Sequence, residues 1–144
     1  MSGPDVFGTN PYAANRTVSG ELVTILRGVS ANRGLALEAF RSRAVVAGQV
    51  HELMTTSRTG AAPGDTVDDV ALLGFFEISR SGVILVGARV TVGGQVLGTV
   101  AGFDDTHMPN HQNICIEVND LRDGVDLGLT VGELVRFDQV RAPS

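Results

Sequence analysis

The stretch RVTVGGQVLGTV, residues 89–100, narrows the fold more than any other feature of the chain. Val90 and Val92 alternate with polar neighbours before Gly93-Gly94, and alternation resumes after it. Two glycines at the centre permit the positive φ angles that a two-residue hairpin turn needs, because neither carries a Cβ. A hairpin of this kind commits the chain to antiparallel β structure. The rest of the sequence reads the same way. Residues 21–27 (ELVTILR), 44–54, 70–78 (VALLGFFEI), 113–118 (NICIEV) and 133–140 (ELVRFDQV) are rich in β-branched and aromatic residues. The run 70–78 is apolar almost throughout, which suits a strand buried on both faces, and Gly74 disfavours a helix there.

Between these runs the breakers cluster. Residues 55–69 (TTSRTGAAPGDTVDD) read as a long loop, and Arg80-Ser81-Gly82 as a turn. Residues 1–17 carry Gly3, Pro4, Gly8, Asn10 and Pro11 and read as an irregular tail that Phe7 and Tyr12 pin down. One segment departs from the β pattern. Ser30 is a competent helix cap, and Leu37, Phe40 and Ala44 share one helical face, so residues 30–43 are expected to form a short helix. Two further stretches, 86–92 and 131–137, share a pattern in which a glycine turn (Gly87, Gly132) delivers the chain into an alternating strand, as at two similar corners.

These elements predict a mainly β fold: a small antiparallel β-barrel of about six to seven strands with one short helix near the N-terminus. A single domain spanning 18–141 is expected to follow the tail. Sheets of this size hide their edges by closing or by pairing with a second copy, so a homodimer or other homo-oligomer is also expected.

Composition restricts function. All eleven basic residues are arginine, they are scattered, and the net charge is -5, which argues against nucleic acid as a partner. Cys115 is the only cysteine, so no internal disulfide forms. No apolar run approaches the ~20 residues that cross a membrane, and no signal-peptide pattern is visible, so a cytoplasmic location is expected. The Arg-only, Gly- and Val-rich make-up fits a GC-rich bacterial genome.

Residues 24–37 (TILRGVSANRGLAL), the segment from Gly82 through the hairpin to Gly102, and the strand at Asn113 resemble the sorbitol/glucitol-specific IIA component of the bacterial phosphotransferase system. The likeness spans about residues 21–138 and implies a small β-barrel. That family passes a phosphoryl group through a histidine on the strand matching 73–77, which reads Leu-Gly-Phe-Phe-Glu here. A phosphoryl carrier needs a nucleophilic imidazole at that place, so the fold alone carries over.

Chemistry concentrates in GFDDTHMPNHQ, residues 102–112, between two strands. His107 and His111 lie four apart, with Asp104, Asp105, Thr106, Asn110 and Asn113 around them. Three readings fit. Imidazole oriented by Asp104 or Asp105 performs acid–base catalysis near neutral pH without a cofactor. His107 and His111 share a metal, with His51 as a third ligand if its strand ends beside the loop. Or the segment is a polar connection whose Asp and Asn side chains satisfy their own backbone. On the first reading the chain is an isomerase-, cyclase- or lyase-type enzyme acting on a small molecule, with Phe75, Phe76, Glu77, Arg80 and Asn110 binding the substrate. On a non-enzymatic reading it is a barrel that binds a small molecule or a protein, with Phe75 and Phe76 as apolar lining.

Overall fold

The computed structural model describes residues 16–139. The expected tail contacts of Phe7 and Tyr12, and the end of the last strand at Val140, lie outside the described residues. The described chain is mainly β, with strands β1 (Val18–Ile25), β2 (Val29–Ser30), β3 (Leu35–Ala36), β4 (Ser42–Val45), β5 (Val50–Thr56) and β6 (Thr66–Val67). There follow β7 (Val70–Arg80), β8 (Gly82–Leu85), β9 (Arg89–Val92), β10 (Gln95–Asp104), β11 (Asn113–Glu117) and β12 (Leu134–Asp138).

Seven of these strands close on themselves in the order β1-β12-β9-β10-β11-β5-β7, and β7 pairs back onto β1. All neighbouring pairs are antiparallel except β11–β5, which is parallel. The exception is a matter of parity. Strand direction cannot alternate all the way round a closed ring with an odd number of members, so at least one pair must be parallel. Closure pairs each of the seven ring strands on both sides, so the ring itself presents no open edge.

The hairpin expected from Gly93-Gly94 is present, with φ of 59° and 85° at the two glycines. The two expected corners are also alike. Gly87 and Gly132 have φ of 92° and 94°, and the strands they enter, β9 and β12, pair with each other.

One buried apolar cluster draws on all seven ring strands, including Leu22, Leu53, Phe76, Phe103, Ile114 and Phe137, and is therefore the ring's interior. A second cluster lies outside the ring. Met54, Val70, Ala101 and Cys115 meet Leu35, Leu37, Ala61 and Val67 from the chain that straps across that face. Bulges let β7 and β10 serve both cores. Register shifts beside Leu73 and Ala101 put Leu72 and Ala101 outside while Leu73, Val100 and Phe103 face in. Thus β7 is doubly buried only over its first half, and beyond it Phe75 is half-buried and Glu77 exposed.

The expected helix over 30–43 does not form, and no helix is present among the described residues. Gly34 sits at φ 62°, and donors that a helix would use go elsewhere. Arg33 N–H bonds the Asp68 carbonyl, Leu37 N–H that of Asp65, and Glu38 N–H that of Phe103. Leu35 and Leu37 are buried while Ala36 is exposed, which is strand alternation. No helix among the described residues is long and apolar enough to cross a membrane.

Candidate functional site

Residues 105–112 connect β10 to β11, which leave the loop as paired neighbours with Asp104 opposite Asn113. The loop is tightly turned. Met108 N–H donates to the Asp105 carbonyl at 3.0 Å and Asn110 N–H to that of His107 at 2.9 Å. The Met108–Pro109 bond is cis.

Asp104, only 3% exposed, holds the loop's base. Its carboxylate accepts from the Thr106 N–H (3.0 Å), the Thr106 hydroxyl (2.9 Å) and the Asn113 amide (2.9 Å). Gln112 is fully buried, and its amide nitrogen donates to the Asp104 carbonyl (2.7 Å) and the Asp105 carboxylate (2.6 Å). Both aspartates are therefore committed to bracing the loop, and the expected pairing of either with a histidine is not what the fold brings together.

The carboxylate beside the histidines comes instead from Glu52 on β5. Its Oε1 lies 3.5 Å from His111 Nε2, with side chains only 9% and 13% exposed. Strand register explains the meeting: Glu52 stands opposite Phe75 of β7 and opposite Asn113 of β11. Burial raises the pKa of Glu52, and the proximity of His111, Arg33 and His107 only partly offsets it. His111 Nδ1 is 2.7 Å from the Asn110 side-chain oxygen, which fixes the proton on that nitrogen. Nε2 is then left to face Glu52, buried and without a hydrogen-bond partner among the described residues. The imidazole is held between two rings: His107 stacks on it at 5.0 Å between centroids and 28°, and Phe75 meets it edge-on at 5.1 Å and 85°.

His51 does lie beside the loop, but on the opposite face of β5 from Glu52. Its Nδ1 accepts the Gln112 N–H at 3.0 Å, so the ring proton sits on Nε2, 3.2 Å from the Gln49 side-chain oxygen. Burial, with Arg43 and then His111 as nearby charges, lowers its pKa to about 4. Both nitrogens are occupied by protein partners, so His51 is not placed as the third metal ligand. Among the described residues no group of three His, Cys, Asp or Glu side chains is arranged to hold a metal ion.

The other expected binding residues divide. Phe75 touches His111, and Asn110 is exposed and bonds it. Phe76 is wholly buried in the ring against Phe137. Glu77 and Arg80 are exposed, Arg80 some 16 Å along the strand from Phe75 at about 3.3 Å per residue. Sequence reasoning passed over Glu52. Its signal is a carboxylate inside the apolar strand VHELMTT, where charge is costly unless partnered.

A family model described as a family of unknown function, DUF6917, matches residues 12–138. The chain belongs to the DUF6917 family. No curated protein and no solved structure matches it. Within this DUF6917 chain the match covers the seven-strand ring, Glu52 and the whole 105–112 loop.

Proposed function

We propose that this DUF6917 protein is a cofactor-independent enzyme whose seven-strand ring is a small β-barrel presenting an acid–base pair, Glu52 and His111, at one rim. The observation that carries the reading is the buried carboxylate 3.5 Å from an imidazole nitrogen that has no other partner among the described residues. An unprotonated imidazole nitrogen beside a carboxylate can accept a proton from a small molecule, and contacts that are long in the free protein tighten when substrate enters. The reaction class is an isomerisation, cyclisation or lyase step that begins with proton removal from carbon beside a carbonyl. In it His111 Nε2 takes the proton and the Glu52 carboxylate stabilises the imidazolium; the proton then goes to a neighbouring carbon in an isomerisation, to the oxyanion left by ring closure in a cyclisation, or to the departing group in a lyase step. Asn110 sets the tautomer, His107 and Phe75 hold the ring, and Asp104 and Asp105 act as positioning residues through the loop.

The test is proton NMR of α-proton exchange in D2O across a panel of small carbonyl compounds. Wild type should accelerate exchange for at least one of them. Glu52→Gln and His111→Ala should each lower that rate about 100-fold or more while keeping a dispersed amide spectrum. A panel in which wild type and Glu52→Gln are indistinguishable overturns the proposal.

A further inference from the structure

The ring's other end carries a second feature. On β5 the inward row is His51, Leu53 and Thr55, and Thr55 lies some 13 Å from His51 at about 3.3 Å per residue. There the core thins to Leu97, Val118 and Leu127, which are only partly buried although packed against the interior cluster. These three side chains and Thr55 line a cavity of about 230 Å³, with Gln95, Asn119, Asp120 and Arg122 also among its lining residues. Thr55 is 1% exposed, and its hydroxyl oxygen has no hydrogen-bond partner among the described residues. A buried hydroxyl in that state is unfavourable unless something bonds to it. By comparison, a cavity of about 150 Å³ with apolar walls is enough to take up benzene.

We infer that this cavity is a binding site for a small neutral alcohol or carbonyl compound. Its ring-sized or branched apolar body rests on Leu97, Val118 and Leu127, and its oxygen bonds the Thr55 hydroxyl. The electrostatics favour a neutral ligand over an anion. Arg122 is already committed to Asp126 through Nε (2.8 Å) and through Nη2 to the Asp126 carbonyl (2.7 Å), and Asp120 adds negative charge. The site is independent of the Glu52–His111 pair.

Cyclohexanol is a suitable probe, titrated into the full-length protein and followed by amide chemical shifts. The expected result is saturable shifts centred on Thr55, Leu97, Val118 and Leu127. Thr55→Val keeps the shape and removes the hydroxyl, and should weaken binding about fivefold. Leu127→Trp fills the cavity and should abolish binding. If that variant fails to fold, Val118→Phe replaces it. Shifts that do not saturate, that centre on the 105–112 loop, or that are unchanged in both Thr55→Val and the filled variant overturn the site.

Discussion

At the scale of single residues, His51 and Glu52 are adjacent in sequence and face opposite sides of one strand, and burial acts on them in opposite directions. His51 is held neutral, with its pKa lowered from 6.5 to about 4. Between those values the unfolded chain takes up a proton that the native protein refuses. Its stabilising contribution is therefore complete above pH 6.5 and is lost as pH falls toward 4. Glu52 has its pKa raised from 4.5, so the native protein keeps a proton that the unfolded chain releases, and stability falls as pH rises above 4.5. The two trends partly cancel in wild type. Urea unfolding of Glu52→Gln between pH 7 and pH 4 should expose the histidine slope, on the order of 2–3 kcal/mol. The double variant His51→Gln/Glu52→Gln should lose that slope. Equal slopes in the two variants would mean that His51 is not held neutral by burial.

At the scale of elements, the strap across the outer face protects Cys115. The thiol is fully buried, and burial, followed by the charges of Asp104 and Glu117, pushes its pKa up to about 12. It reacts only when the strap lifts. Leu37 packs there over Gly102, where an added Cβ would crowd the Leu37 side chain, so the glycine lets the strap lie flat. Leu37→Ala removes apolar packing worth about 2 kcal/mol or more. Labelling of native Cys115 by a thiol reagent at pH 8 should then speed up about 30-fold, with little change in the amide spectrum of β1, β9 and β12. A labelling rate unaffected by Leu37→Ala would place the opening elsewhere.

At the scale of the whole molecule, ring closure rests on the β1–β7 seam. Its register shifts twice, between Ser19 and Gly20 and between Leu22 and Thr24. Two glycines make the approach possible: a Cβ at Gly20 would strike the Glu77 carbonyl oxygen, and one at Gly74 would strike that of Thr24. The obstacle is backbone and cannot swing aside. Gly74→Ala should cost about 3 kcal/mol in urea unfolding, with faster hydrogen exchange concentrated in β1 and β7. A variant as stable as wild type would show that the seam yields without opening the ring.

The sequence by itself determined what depends on neighbouring residues. Gly93-Gly94 specified a hairpin because both turn positions need positive φ, and alternation in 89–100 and 113–118 placed Ile114 and Ile116 opposite Cys115 because side chains alternate every residue. It also marked residues 102–112 as the polar segment between two strands, since breakers and polar groups are read locally. Only the tertiary structure decided the rest. Residues 30–43 have a helical pattern, yet carbonyls distant in sequence, those of Asp65, Asp68 and Phe103, take their donors and lay them down as a strap. The partner of His111 was settled by the one parallel pair, β5–β11, which an odd closed ring requires and which no local pattern announces. That pairing puts Glu52, 59 positions earlier in the chain, against the loop, and leaves Asp104 and Asp105, its near neighbours in sequence, to hold the loop in shape.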